Sequence, residues 1–388
     1  VSAVQTRLKY VTRFAYGEAL PTDEVQDGPI PVYGSNGRFA KFSRANTGSP
    51  AIIVGRKGSY GKVNWSNEAC FASDTTFVVD ERTTSHHLRW LYWLLQALDL
   101  DKGSDEAAVP GLNRDDAYER EVLLPDCETQ EAVASFLDFE VQAVDSLIEA
   151  KQKLLDLLTE KRRMLAAEAV MRGLDRSAPL RSSGIDWLGD IPARWEIERS
   201  RWLFTERDER SETGEEEMLT VSHITGVTPR SEKDVNMFEA ETTAGYKLCF
   251  TGDLVINTLW AWMGAMGTAS VDGIVSPAYN VYTPCPRLLP SYVDALVRIP
   301  VFAQEVTRYS KGVWSSRLRL YPEGFFETFW PVPPLDEQEE IVAHIAEERT
   351  KIDKLATATE RSITLLKERR SALIAATVTG QIDIPEAA

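Results

Sequence analysis

The apolar residues of this chain fall into two long runs with the same rhythm. Between 126 and 172 there is no proline or glycine, and Leu137, Val141, Val144, Ile148, Leu155, Leu158 and Leu165 keep to one helical face. Between 335 and 379 the same absence holds, with Ile345, Ile352, Ala356, Ile363, Leu366 and Leu373. Each stripe predicts a long helix with a coiled-coil-like seam. The runs stop at Gly173 and Gly380, the residue type that commonly follows a helix C-terminus. A helix of about 40 residues is roughly 60 Å long. Such a helix is unstable in water without a partner for its stripe. The two runs are therefore expected to pack against each other, antiparallel. Lys151 and Thr359, and again Arg162 and Arg370, interrupt the stripes at matching places. Either these are tolerated positions in a marginal seam, or polar residues that specify its register.

The runs are copies. Residues 125–175 align with 333–383 at a constant offset of 208, and fifteen of the 51 pairs are identical. Among these are Pro125/Pro333, Gln130/Gln338, Asp145/Asp353, Leu157/Leu365 and Arg162/Arg370. The sequences preceding each copy look largely unrelated. A chain that repeats its spacer and varies what lies between predicts two unlike modules held at a fixed separation.

Shorter apolar runs predict strands at 51–54, 75–79, 218–224, 247–250, 253–256 and 279–283, and a helix at 88–98. Residues 174–193, rich in Ser, Gly and Pro, read as a linker. Each module passes into its long helix through proline, at Leu123-Leu124-Pro125 and Val332-Pro333-Pro334. The expected architecture is α+β. Two mixed α/β domains, 1–124 and 194–332, are separated by two long antiparallel coiled-coil-like helices, 125–173 and 333–384, with pseudo-two-fold symmetry and a linker at 174–193.

Composition narrows the function. The 388 residues include 43% hydrophobic ones, enough for packed cores. No apolar run approaches the roughly 20 residues of a membrane span, and the first residues hold no apolar signal core. A cytoplasmic protein with no membrane partner is expected. Cys70, Cys127, Cys249 and Cys285 are scattered, and His86, His87, His223 and His344 form no HxxxH or HExxH. No metal site or disulfide framework is expected. The net charge of −16 argues against nucleic acid as an average, yet the charge is segregated. Residues 30–67 hold Arg38, Lys41, Arg44, Arg56, Lys57 and Lys62 without an acid, and 306–320 hold Arg308, Lys311, Arg317 and Arg319 without an acid. Acids gather at 206–217 and 336–360. Local basic patches on an acidic frame suit two DNA-facing surfaces with protein partners elsewhere.

No catalytic set is present. The Gly55-Arg56-Lys57-Gly58-Ser59-Tyr60-Gly61-Lys62 stretch fails the phosphate-loop spacing, with Val63 where Ser or Thr is required. There is no Asn-Pro pair of the kind an adenine methyltransferase motif needs, and Asp115-Asp116 reads as a solvated turn. The same glycine-rich stretch suits DNA: small residues bring backbone amides close to phosphates, and Arg56, Lys57 and Lys62 neutralise them. Tyr60 is placed to meet sugar or base, and Asn36 and Arg38 have side chains suited to adenine and guanine readout. Lys41 and Arg44 extend the basic run. Arg308, Lys311, Arg317 and Arg319, around Gly312-Val313-Trp314-Ser315-Ser316, form a second contact loop, matched in the first domain by Gly111, Asn113 and Arg114. Trp260 and Trp262 alternate, and are expected to fill a strand core.

Four stretches together resemble the specificity (S) subunit of type I restriction–modification systems. Gly184-Ile185-Asp186-Trp187-Leu188-Gly189-Asp190-Ile191-Pro192-Ala193-Arg194-Trp195 is similar to that family's lead into a target-recognition domain. Pro333-Pro334-Leu335-Asp336-Glu337-Gln338-Glu339 is similar to the start of its conserved helix, and 373–383 to its C-terminal end. Gly28-Pro29-Ile30-Pro31-Val32-Tyr33-Gly34-Ser35-Asn36-Gly37 is similar to the opening of a first recognition domain. Two departures are visible: the chain start lacks the Trp-Leu-Gly lead, with Arg7-Leu8-Lys9-Tyr10 resembling Arg199-Ser200-Arg201-Trp202 instead, and Asp126-Cys127 replaces Pro-Leu at the first helix. The resemblance implies a non-catalytic subunit. Each domain would read half of a bipartite, asymmetric site in double-stranded DNA. Two methyltransferase (M) subunits carrying S-adenosylmethionine would dock on the helices, and two restriction (R) subunits using ATP and Mg would join. The competing expectations are an acidic coiled-coil scaffold without DNA readout, favoured by the net charge, and a stand-alone enzyme, for which the residues are missing.

Overall fold

The structure, a computed structural model, describes residues 3–21, 28–101, 111–232, 242–312, 318–382 and 384. The chain forms two compact units, Val1–Lys153 with Thr359–Ala388, and Leu154–Ala358. Two long helices, Cys127–Arg172 and Leu335–Val378, run through the regions of the repeat. Each helix gives one part to the first unit and the other to the second. Among the described residues, no helix is long and apolar enough to cross a membrane.

The first unit is built on a four-stranded antiparallel sheet in the order Ala15–Tyr16, Thr76–Val79, Ala51–Gly55, Val63–Ser66. The central strand is buried along its whole length, which explains its unbroken apolar run. A second sheet joins the hairpin Ile30–Gly34/Gly37–Phe42 to Phe71–Ala72. Helix Leu88–Ala97 buries Trp90, Leu91, Trp93, Leu94 and Leu95. These join a core with Val133, Leu137 and Val141 of the first long helix and Ile374 and Val378 of the second. The helices are antiparallel here. Leu123, just before the first helix, lies beside Gly380, just after the second, while further along Asp145 pairs with Arg370.

The second unit repeats the sheet order with Phe204–Arg207, Tyr279–Pro284, Leu254–Asn257 and Met266–Thr268. Its core gathers Trp195, Tyr282, Tyr292, Phe302, Phe325 and Trp330 with Ala169 and Val170 of one long helix and Ile341 and Ile345 of the other. Arg162 pairs with Asp353, and Gly173, just past the first helix, lies beside Glu337 near the start of the second, so the helices are antiparallel here as well. The segment 174–193, expected as a linker, is ordered. It forms the hairpin Leu180–Ser182/Asp190–Pro192 and buries Leu188 and Ile191 in this core.

The likeness of the units reaches beyond the copied helices. Strand Val4–Arg7 pairs antiparallel with Glu121–Leu124, and Glu196–Arg199 pairs with Phe329–Val332 in the same manner. Glu119 takes Arg7 and Lys9, and Glu327 takes Arg199 and Arg201. Each strand pair ties the beginning of a mixed α/β segment to the proline that precedes a long helix.

The repeat-identical glutamines complete this frame. Buried Gln130 donates to the Pro125 carbonyl at 2.8 Å and accepts from the His87 amide at 2.9 Å. Buried Gln338 donates to the Pro333 and Arg287 carbonyls, both at 2.8 Å, and accepts from the Leu289 amide at 2.9 Å. His87 and Leu289 are the residues that precede helices Leu88–Ala97 and Pro290–Val297. One amide side chain therefore satisfies polar groups at the start of two helices, where backbone bonding is incomplete.

Candidate nucleic-acid interface

In the first unit, the connection between strands Ala51–Gly55 and Val63–Ser66 carries Arg56, Lys57, Tyr60 and Lys62. It folds back on itself: Gly55 N donates to Lys62 O at 2.8 Å and Gly61 N to Gly55 O at 2.9 Å. Arg56 N and Lys57 N both donate to Thr75 O. Gly55 is required sterically, since a Cβ there would lie 2.3 Å from Ser59 O. The glycines thus close the loop, and these amides are committed inside it rather than offered to phosphates. The side chains remain for outside contact, with Lys57 and Lys62 exposed and Arg56 and Tyr60 partly so.

Neighbouring segments converge on this loop. Lys62 Nζ donates to Asn36 O at 2.8 Å and Asn36 Oδ1 at 2.9 Å, fixing the turn of the hairpin that carries exposed Arg38 and Lys41. Lys57 forms a β-bridge with Gly111, and Leu112 N donates to Arg56 O at 2.8 Å, which brings Arg114 alongside. The Arg56 and Arg114 guanidiniums lie 5.1 and 5.2 Å from the ring centroid of half-exposed Tyr16. The aromatic face orients both cations without neutralising them. Sequence reasoning missed Tyr16, because a lone tyrosine far from the loop carries no local signal. Arg44 is held differently. It pairs with Glu18 at 3.0 Å and lies against the Phe42 and Phe71 rings. Asn36, Arg38, Arg56, Lys57, Tyr60, Lys62 and Arg114 therefore come together, with Lys41 further along the strand and Arg44 in its own ion pair.

In the second unit, helix Pro300–Tyr309 ends in exposed Arg308, which contacts the Tyr309 ring. Lys311 and Arg319 exchange two backbone bonds of 2.9 Å and so share one short bridge. Arg317 lies outside the described residues. The next residue, Leu320, donates to Thr258 O at 3.0 Å. That bond is the counterpart of Leu112 to Arg56, so this segment stands where Gly111, Asn113 and Arg114 stand in the first unit.

The connection it touches differs from expectation. Trp260 and Trp262 do not fill a strand. They lie on the turn around the short 3-10 helix Ala261–Met263, after strand Leu254–Asn257 has ended, and Trp260 is 50% exposed. Alternation over so few residues does not separate a strand from a turn whose middle residue is the buried one. Here Ala261 is the buried residue.

The remaining chemistry is quiet. The four cysteines are free, and burial pushes Cys70 up and Cys249 up to about 12, keeping both thiols protonated and unreactive. Among the described residues, no group of three His, Cys, Asp or Glu side chains could hold a metal ion.

Two small mixed α/β units, each with the same four-strand order and each sharing two long helices, define a duplicated α+β class of fold. No family model and no curated protein sequence matches the chain. Solved structures do. The chain is similar to one from a study of complex assembly and conformational transition of the type I R-M system, with a TM-score of 0.68, 14% identity and 98% of each chain covered. It is also similar to the HsdS subunit from Thermoanaerobacter tengcongensis, with a TM-score of 0.54, 14% identity, and 98% of this chain and 97% of that one covered. The chain therefore has the HsdS fold, the α+β architecture expected from its sequence.

Proposed function

We propose that this chain is the DNA sequence-recognition subunit of a type I restriction–modification complex, and that it carries no catalysis itself. Each unit reads one half of a bipartite, asymmetric site in double-stranded DNA. One observation carries the reading: two units share a frame down to single side chains, yet present unlike surfaces at the same sheet connection. A duplicated frame with divergent loops suits a target of two unlike half-sites. The gathered cations of the first unit and Arg308, Lys311 and Arg319 of the second supply phosphate contacts.

The long helices hold the catalytic partners. Leu147/Leu355 and Leu157/Leu365 are identical repeat positions with one member in each unit, exposed to 46% and 48% in the first pair and to 54% each in the second. Repeated exposed leucines suit two copies of one partner, the methyltransferase subunits, which carry S-adenosylmethionine. Two restriction subunits, with ATP and Mg, complete the assembly in the cytoplasm. The acidic-scaffold alternative rests on the net charge of −16. It predicts association insensitive to salt, where DNA reading demands a steep salt dependence.

Single-molecule methylome sequencing with and without the gene tests the proposal. A bipartite methylated motif that disappears with the gene is expected, and exchange of residues 1–124 should alter one half only. Insertions near Ala150 or Thr359 should change the gap and leave both halves intact. A continuous motif, or methylation independent of the gene, overturns the reading.

A further inference from the structure

We infer that the second unit meets its half-site with an aromatic wedge, Trp260 backed by Trp262, at the position where the first unit uses a cationic loop. The inference rests on the DNA-reading proposal and concerns how one half-site is read.

The wedge is held by contacts within the second unit itself. Ala261, between the two tryptophans, is buried in the core with Phe302 and Val306, which anchors the turn. Trp262 Nε1 donates to Leu259 O at 3.0 Å, and the two indoles stack with centroids 6.2 Å apart at 24°. Asn257 N donates to Ala265 O and Ala265 N to Trp260 O, closing the turn at its base. Gly264 takes a φ of +84°, which lets the chain re-enter strand Met266–Thr268. Around this anchor Leu259, Trp260 and Met263 are 43%, 50% and 39% exposed. Three large apolar side chains exposed together on one turn mark a candidate contact surface.

Its surroundings identify the occupant. The Lys311–Arg319 bridge reaches the turn through the bond from Leu320 to Thr258, and Arg308 closes the helix that packs on it. Residues 258–264 themselves carry no charge, whereas the first-unit counterpart, 56–62, carries three cations. Apolar side chains framed by cations suit a duplex: the cations hold phosphates while the wedge enters between base pairs and partly unstacks a step. The energy of that unstacking depends on sequence, so the wedge selects bases through deformability as well as contact. Salt dependence at this half-site comes from Arg308, Lys311 and Arg319, not from the wedge.

The test uses the full chain assembled with its methyltransferase subunits, on a duplex bearing the methylome-defined motif with 2-aminopurine placed along each half in turn. Binding should raise fluorescence at one step of the second half-site. Trp260→Ala should remove that rise and weaken binding roughly tenfold, as expected for one lost stacking contact. Its salt slope should stay that of the parent, and Trp260→Phe should recover most of the signal. Lys57→Ala, in the first unit, should instead lower the salt slope by about one and leave the fluorescence rise intact. A duplex that stays quenched along the second half, or a Trp260→Ala complex that binds as tightly as the parent, overturns the wedge while leaving DNA reading in place. Loss of methyltransferase-subunit binding in Trp260→Ala, with DNA contact otherwise unaltered, would make the turn a protein-docking surface and also overturn it. Absence of any sequence-specific duplex binding by the parent complex overturns the underlying proposal.

Discussion

The connection after strand Ala51–Gly55 and the connection after strand Leu254–Asn257 leave the same place in two equivalent sheets. One is a glycine-closed loop bearing Arg56, Lys57 and Lys62, and the other is a hydrophobic turn bearing Trp260 and Trp262. The frame beneath them barely differs. Gln130 and Gln338 make equivalent bonds, as do Glu119 and Glu327. The contrast shows where this fold tolerates change. The two glutamines satisfy buried and half-buried backbone groups, so replacing one leaves a polar group unpaired at a cost of about 1–3 kcal/mol. Apart from Lys62, which ties down the turn at Asn36, the cationic side chains of the first loop make no such bonds to buried backbone and are freer to differ.

The frame gives the largest effects. Gln130→Leu removes two hydrogen bonds and Gln338→Leu removes three, in each case leaving one buried carbonyl and further half-buried backbone groups without that partner. Losses of about 2–4 kcal/mol and about 3–5 kcal/mol are expected, in that order. Urea denaturation of each variant measures both. Equal losses, or a larger one for Gln130, would mean that the additional bond to Arg287 contributes nothing and that the two frames are energetically the same.

Acid separates the units in opposite directions. Burial of Asp80 works to raise its pKa, but Arg82 and the Gly48 and Arg82 amides outweigh it and hold the carboxyl below its ordinary value. A depressed folded pKa contributes stability above the unfolded value and loses it as pH falls through the folded one. Glu305 in the second unit is the reverse. Burial raises its pKa against a bond from the Phe329 amide and the charge of Arg308, so it stabilises the fold only while protonated and penalises it as pH rises through the folded value. At pH 7, Asp80→Asn should lower stability by about 1–3 kcal/mol through its unsatisfied partners, while Glu305→Gln should leave it unchanged or raise it by about 1 kcal/mol. Toward pH 4 the Glu305 difference should shrink as its carboxyl is protonated in both states, while the Asp80 difference should persist and fall away only at lower pH, through its depressed folded value. Chemical-denaturation midpoints at the two pH values decide. A Glu305→Gln variant that is less stable than the parent at pH 7 would show that the carboxylate is needed as an anion.

How much of this was legible beforehand follows from range in sequence. The long helices were readable because a seam repeats within a few residues, and because the second copy confirmed the first. Strands 51–54 and 279–283 were readable as short apolar runs. The strand pairs were not: Val4 meets Leu124 and Glu196 meets Val332, and neither partner in its own neighbourhood announces the other. Gln130 and Gln338 stood out as identical, yet their work depends on His87 and Leu289, far off in the chain. In the site, the basic clusters were legible as composition. Their arrangement was not, because Tyr16, the Lys62–Asn36 bonds and the Lys57–Gly111 bridge are set by tertiary contacts. Trp260 misled because a buried alanine between two aromatics looks like an alternating strand.

The smallest effect tests the seam. Arg162 and Arg370 interrupt the apolar stripe, and both meet the repeat-equivalent aspartate of the opposite helix, Arg162 with Asp353 and Arg370 with Asp145. Their placement fits residues that specify antiparallel register rather than tolerated exceptions. They are not equal. The Arg370 side chain is 26% exposed, touches Gln96 and lies over Trp93, whereas that of Arg162 is 40% exposed. Partly exposed pairs contribute about 0.2–1 kcal/mol. Double-mutant cycles should therefore give a coupling near the top of that range for Arg370 with Asp145 and a smaller one for Arg162 with Asp353. Register is the sharper readout. Reversing one pair, as Arg370→Asp with Asp145→Arg, should preserve the fold, because it restores the attraction across the same seam. Reversing Arg370 alone should oppose two carboxylates and weaken the first unit while the second keeps its stability. Equal couplings in the two cycles, or a charge reversal that both units tolerate, would reduce these arginines to surface residues that happen to interrupt a stripe.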